Sequence, residues 1–351
     1  MKVFLWFVDG LGLGPDDPRV NPLAAGSYPA LERLLAGRPV AFAGWRPSPE
    51  GPGAAAAVDA ALGVPGLPQS ATGQTALLTG RNAPAVLGRH VNGYPTPTLV
   101  RLLQSGNLFT HAVRAGLRAT FLNAFGPGYL QLLARYKEEH GWPSTAEQGA
   151  VLAAARDLPV EQVPARLRRR RFRPSVSTVA VDAAGLPLRG PADLERGLAV
   201  PHDITGEFFG GWASLTVEEA AEAALRVWDD HDLTFFEFFM TDLAGHSQDR
   251  ARAEELLARL DRFAGLLLGA MDPRRHLLVL VSDHGNVERL DQRTHTDNPV
   301  PFAAWGAGAG DLVAGAAAIT DVTPRLLALL GVDSPGDGGD AVPPRRATRG
   351  A

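Results

Sequence analysis

The stretch that most narrows what this chain can fold into is HLLVLVSDHGN, residues 276–286. Five of the six residues from Leu277 to Ser282 are apolar, and the run then stops at Asp283-His284-Gly285-Asn286. A segment that is apolar on both alternating faces must be covered on both sides, as a central strand of a parallel sheet is. Two further runs share the design: KVFLWFVDG ends at Asp9 and LTFFEFFMTD ends at Asp242. Helical patterns lie between them. TVEEAAEAALRVWDDH (216–231) has Glu218 and Glu219 in its first turn, residues 250–271 form an amphipathic helix, and DVTPRLLALLG (321–331) is a helix closed by Gly331. Strand–helix alternation predicts an α/β fold, a mostly parallel sheet sandwiched by helices.

The strand-and-acid design stops near residue 88 and resumes near 210, and the stretch between has weaker periodicity with breaks at GPGYL and AAGLPLRGP. This predicts a discontinuous core, residues 1–87 and 210–333, with a smaller α+β cap domain inserted at 88–209. The arginine run Arg168–Arg171 reads as a solvated helix face, and the tail 334–351 as disordered. There is no internal repeat.

The 351 residues contain no cysteine, which excludes disulfides, thiolate catalysis and zinc–thiolate sites. Any metal site must therefore use Asp, Glu, His and other oxygen donors. A net charge of −4 gives no reason to expect a nucleic-acid partner. The apolar run Val3–Val8 is too short for a secretory signal, and no stretch reaches the roughly 20 apolar residues of a membrane span. A cytoplasmic enzyme without membrane partners is expected; the oligomeric state has no signature in the sequence.

In open α/β sheets, ligands sit beyond the carboxyl ends of the strands, where Asp9, Asp242 and Asp283 fall. Three acids so placed repel one another unless a cation sits among them, and a divalent metal is the economical answer. His246 follows Asp242 at i+4, His284 adjoins Asp283, and His295 precedes the apolar VPFAAW. Any one of these aspartates alone is more simply a helix N-cap; three acids and three histidines at matching positions are not. In LPQSATGQTALLTG a short helix closed by Gly80 places Ser70 at a helix N-terminus, where free N–H groups favour an anion such as phosphate. Ser70 is the candidate nucleophile, Thr72 the competing hydroxyl, and a plain N-cap the alternative for Ser70. Arg81, Asn82, Arg89, His90 and Asn92 follow this helix and are candidates for substrate binding, as are His202 and Asp203 near the return to the core.

The elements FVDGLGLG, QSATGQ, TDLAGH, SDHGN and THTDNPVPF occur in the order used by the alkaline phosphatase superfamily. They most resemble its cofactor-independent phosphoglycerate mutase and phosphopentomutase branch, over about residues 1–82 and 235–331. The resemblance implies two divalent metal ions, Mn2+ or Zn2+. It assigns Asp242, His246 and His295 to one ion and Asp9, Asp283 and His284 to the other, with Ser70 bridging toward the second and forming a phosphoserine intermediate. The branch often has Asn before the nucleophile and His four residues after it; here those positions are Gln69 and Gln74. The insert is shorter than a phosphoglycerate mutase cap. The expected function is phosphomutase-like phosphoryl transfer on a small phosphorylated substrate. The alternatives are a phosphatase or phosphodiesterase with the same centre, and a metal-binding module without catalysis.

Overall fold

Seven strands form one sheet in the order β2-β3-β7-β6-β1-β5-β4. The strands are β1 (Lys2–Val8), β2 (Trp45–Pro47), β3 (Gly53–Val58), β4 (Ala119–Phe121), β5 (Leu233–Phe238), β6 (His276–Val281) and β7 (Val300–Gly306). They are seen in a computed structural model that describes residues 1–158, 172–207 and 213–333. The three acid-ended runs are β1, β5 and β6, lying side by side and parallel with β1 in the middle. Every residue from Val3 to Val8 is buried: Val3, Leu5 and Phe7 face one layer of helices, Phe4, Trp6 and Val8 the other. The first layer includes the helices Ser70–Thr79, Pro97–Ser105, Val176–Ala183 and Val322–Leu329; the second holds Pro29–Leu34, Val217–Asp230 and Arg250–Ala270. The α/β sandwich is thus as expected. The helix Val217–Asp230 opens with a capping box between Thr216 and Glu219, which satisfies two otherwise orphaned backbone donors.

The sheet is mixed, with a parallel centre and an antiparallel flank. β4, β5, β1 and β6 run parallel, but β7 pairs antiparallel with β6, β3 with β7, and β2 with β3. A parallel neighbour requires a crossover, usually a helix. The chain between β6 and β7 has no helix; it is an irregular return held by the bridge Gly285–Thr296, and it carries both SDHGN and THTDNP.

The core also extends beyond the boundary expected at residue 88. β4 completes the sheet beside β5, and the helices Pro97–Ser105 and Leu108–Arg114 pack against Val176–Ala183. Leu99, Phe109, Leu130, Leu133, Val176 and Val179 belong to the same apolar cluster as Val3 and Leu5. The described residues of the insert therefore share the main core, and beyond β4 they form helices and loops rather than an α+β unit. β4 has no signature in the sequence, because three residues without a terminal acid are too few for a periodic pattern. The break at GPGYL is the start of the helix Pro127–His140, with Pro at its first position, where the missing N–H costs nothing. Arg168–Arg171, the boundary at 209/210 and the tail 334–351 lie outside the described residues. No helix among those described is long and apolar enough to cross a membrane.

Candidate metal centre

Asp9 directly follows β1, and its N–H extends the pairing with β5 by donating to the Phe238 carbonyl at 2.9 Å. Asp283 follows β6 after Ser282, whose hydroxyl accepts from the Leu11 N–H at 3.0 Å and donates to the His284 carbonyl at 3.1 Å. After β5 the chain turns into the short helix Met240–Ser247, which presents Asp242 and His246 one turn apart. His295 arrives on the return toward β7, and the helix Ser70–Thr79 brings Ser70 in from the side. All seven residues meet at the carboxyl end of the central strands.

Two clusters result. His284 Nε2 lies 3.2 Å from Asp9 Oδ1 and 3.5 Å from Asp283 Oδ2. Asp242 reaches His246 Nε2 through Oδ2 and His295 Nε2 through Oδ1, each at 3.4 Å, and the two Nε2 atoms are 3.1 Å apart. The rings of His284 and His295 stack at 3.7 Å, so His284 also stands near Asp242 and His295 and joins the clusters. Ligand atoms of a tetrahedral ion with bonds of 2.0–2.1 Å stand about 3.3 Å apart, which is the spacing seen here. His246 Nδ1 faces the Arg293 carbonyl at 2.7 Å and His295 Nδ1 the Pro68 carbonyl at 2.9 Å. A carbonyl only accepts, so each Nδ1 carries a proton, and each Nε2 faces the cluster, donating to Asp242 when it is protonated as well and free to bind an ion when it is not.

The donor set fits cations on electrostatic grounds as well. Asp9 Oδ1 and both Asp283 oxygens are buried without a well-formed hydrogen bond. Burial, then the charges of neighbouring acids, push the Asp9 and Asp283 carboxyls well above the usual carboxylate range. Burial also acts to raise Asp242, but hydrogen bonds from His246 and then His295 outweigh it and hold that carboxyl below the usual range. Burial drives His284 down to about 3, so its imidazole is neutral and available as a ligand. The Asp9 and Asp283 pair is short of positive charge, which a divalent ion supplies.

Ser70 is the first residue of its helix, with Gln69 at the cap position, and its Oγ lies 3.0 Å from His284 Nε2. The Thr72 hydroxyl is used structurally: it donates to the Gln69 carbonyl at 3.1 Å and accepts from the Val91 N–H at 3.2 Å. Gln74, one turn beyond Ser70, donates to Asp9 Oδ2 at 3.1 Å.

The substrate-binding candidates divide. Val91 is tied to Thr72 through both its N–H and its carbonyl, so the loop with exposed Arg89 and Asn92 flanks the nucleophile turn; His90 bonds the Val64 carbonyl at 3.2 Å. Arg81 and Asn82 sit at the opposite end of the ten-residue helix, about 15 Å away by its rise. There Arg81 donates to Ser105 at 3.0 Å and Asn82 caps the helix Ala83–Leu87. A helix that begins at the site carries its far end away from it, and this moves both residues off the centre. Burial lowers His202 to about 3, and its ring packs against Phe125 and Phe239 at 4.8 and 5.5 Å. Asp203 accepts from the Gly206 N–H at 2.8 Å and, through its carbonyl, from Arg259 at 3.1 Å, forming a turn.

Other polar residues around the centre are not among the sequence candidates. Asn286 donates to Asp242 Oδ1 at 2.7 Å and to its carbonyl at 3.1 Å. Glu237 is buried within β5, accepts a hydrogen bond from Ser177, and is pushed by burial to about 7. An acid inside the apolar LTFFEFF is a visible anomaly and is the signal that marks it. Glu288, fully buried just after SDHGN, carries no such signal.

Residues 211–334, about a third of the chain, match the family profile of the metalloenzyme superfamily. The 2,3-bisphosphoglycerate-independent phosphoglycerate mutase of Methanopyrus kandleri is 37% identical over 114 residues, 32% of this chain and 26% of that protein. That of Halobacterium salinarum is 36% identical over 114 residues, 30% and 22% of the two chains. The match thus spans about a quarter of the length of these curated relatives. A protein of Pyrococcus horikoshii superposes with a TM-score of 0.51 at 17% identity, over 94% of this chain and 97% of its own. The alkaline phosphatase of the Antarctic bacterium TAB5 does so with a TM-score of 0.51 at 12% identity, over 94% and 98%. These structures share the fold, and the resemblance to the alkaline phosphatase superfamily is borne out.

Proposed function

We propose that this alkaline phosphatase-like chain is a divalent-metal-dependent phosphoryl-transfer enzyme that uses Ser70 as nucleophile on a small phosphate ester. The observation that carries the reading is the approach of Ser70 Oγ to His284 Nε2, 3.0 Å, at the residue shared by both clusters. Asp9, Asp283 and His284 would hold one ion, and Asp242, His246 and His295 the other. Mn2+ or Zn2+ bound there lowers the pKa of an adjacent hydroxyl and offsets charge on the phosphoryl oxygens. The N-terminus of the helix Ser70–Thr79 adds its dipole to phosphate binding. The Ser70 hydroxyl gives up its proton to solvent, Oγ forms a bond to phosphorus as the ester P–O bond breaks, and the leaving oxygen takes up a proton from solvent. Arg89 and Asn92, exposed on the flanking loop, are placed to meet the rest of the substrate.

The phosphoseryl group has two destinations. Return to another hydroxyl of the same substrate makes a phosphomutase, the activity in the names of the matched relatives. Transfer to water makes a phosphatase. The His246 side chain is 38% exposed, so one edge of the centre is open to solvent, and this favours water as acceptor.

The test is a screen of the Mn2+- or Zn2+-reconstituted chain against aryl phosphates, phosphoglycerates and pentose phosphates. Free phosphate without isomer formation is the expected result; isomer formation without phosphate release restores the mutase. Ser70→Ala is expected to lower turnover roughly 10⁴-fold. Metal uptake without phosphorylation of Ser70 by any donor would instead indicate a binding module.

A further inference from the structure

We infer that Glu288 is a positioning residue, a buried clasp that holds the three ligand-bearing loops of the centre in register; the inference rests on the metal reading above. The Glu288 side chain is fully buried. Its Oε2 accepts from the backbone N–H of Gly12 at 3.1 Å and of Asn286 at 2.7 Å. Its Oε1 accepts from Asn298 Nδ2 at 3.0 Å and from the Thr296 hydroxyl. Each donor belongs to a ligand loop. Gly12 lies three residues after Asp9, Asn286 two after His284, and Thr296 directly after His295. A carboxylate receiving four neutral donors is stabilised without a cationic partner, and charge-assisted hydrogen bonds are the stronger kind.

The glycines around it are an independent observation. A Cβ on Gly12 would fall 2.3 Å from Glu288 Cδ, one on Gly14 2.6 Å from its Cγ, and one on Gly285 2.3 Å from its Oε1. None of the three has a positive φ. At Gly12 and Gly14 the Glu288 side chain occupies the space a Cβ needs, and at Gly285 Glu288 shares that space with the Thr296 hydroxyl, 2.2 Å from such a Cβ. The spacing in DGLGLG and the Gly of DHGN therefore fit the clasp.

The loops need such a part. They are irregular between β1, β6 and β7, and single backbone hydrogen bonds rather than continuous ladders tie them in pairs: Val287 N–H to the Gly10 carbonyl, Leu13 N–H to the Pro299 carbonyl and Thr296 N–H to the Gly285 carbonyl. Metal ligands tolerate errors of only about 0.2 Å. One carboxylate bonded to all three loops adds a common anchor to these pairwise bonds and so fixes Asp9, the Asp283–His284 pair and His295 relative to one another.

The test compares full-length wild type, Glu288→Ala and Glu288→Gln. Mn2+ binding is followed by titration calorimetry and elemental analysis, and the metal-free fold by circular dichroism. Glu288→Ala is expected to keep its secondary structure and bind Mn2+ roughly 10- to 100-fold more weakly. Glu288→Gln is expected to recover part of the affinity, because its oxygen still accepts from the Gly12 and Asn286 N–H groups and its amide can donate to the Thr296 hydroxyl, while the bond from Asn298 Nδ2 is lost. Should Glu288→Ala fail to fold, the double variant Thr296→Ala/Asn298→Ala removes only the donors to Oε1 and is expected to bind Mn2+ about 10-fold more weakly. Wild-type affinity in folded Glu288→Ala, or failing that in the double variant, overturns the clasp while leaving the metal reading intact. A wild type that binds no Mn2+ overturns the metal reading, and the clasp with it.

Discussion

The two halves of the centre use the same residue types to opposite electrostatic ends. The inner half, Asp9, Asp283 and His284, has two acids for one imidazole and is almost wholly buried. The outer half, Asp242, His246 and His295, has one acid for two imidazoles, and its His246 side chain reaches solvent. Burial and mutual repulsion hold the inner carboxyls toward their protonated forms, while hydrogen bonds from two histidines keep Asp242 ionised. The lesson is that the ratio of acid to imidazole, together with burial, decides which half depends on an external cation. The outer half brings much of its own compensation, and a cation bound in the inner half would favour its ionised carboxylates.

The largest effect should come from breaking the inner half. Asp283→Asn is expected to remove the ion proposed for the inner half and lower turnover about 10³-fold or more, whereas His246→Ala in the outer half should weaken metal binding by only about 10²-fold. Metal counting and kinetics on the two variants check this, and the reverse ranking would break the comparison.

Next comes Glu237, which adds its charge behind Asp9. Its folded pKa of about 7 exceeds the ordinary value of 4.5, so the folded chain holds the proton more tightly than the unfolded one. Metal-free stability should be greatest below about pH 4.5 and fall as pH rises toward 7, by about 3 kcal/mol from this group. Urea unfolding across that range should show the fall, and Glu237→Gln should make it shallower by this group's share, leaving the part of the same sign from Asp9 and Asp283.

The raised Asp9 and Asp283 also make metal uptake a proton-releasing event. Mn2+ affinity should rise with pH, approaching about tenfold per unit for each proton released, and calorimetry in buffers of different ionisation enthalpy should count the protons. The smallest effect is expected from Gln74→Ala, which removes one 3.1 Å hydrogen bond to Asp9. The cost should be about 1 kcal/mol, a several-fold loss of affinity at the inner half with the outer half unchanged.

Much of this architecture is legible in the order of the residues. β1, β5 and β6 announce themselves because buried parallel strands must be apolar on both faces, and the helix Arg250–Ala270 does so through its apolar stripe. Asp9, Asp242, His246, Asp283, His284 and His295 are legible as candidates because three acids and three histidines recur at matching positions near the ends of such runs, where any one alone would be unremarkable. β4 and the helices around it are not, since a three-residue strand has no period and its place at the sheet edge is set by Phe121 meeting Phe235. Arg81 and Asn82 fall away from the centre because proximity along the chain says nothing about which end of a helix faces the site.

By itself the sequence determined which segments are buried and which chemistry stands at their ends, because both follow from local runs of side chains. The tertiary structure alone decided that β7 turns back antiparallel, that the insert shares the main core, and that Ser70 rather than Thr72 faces His284. It also decided that Glu288 joins three loops. These are contacts between residues far apart in the chain, set by the packing of whole layers, and no local pattern of residues encodes them.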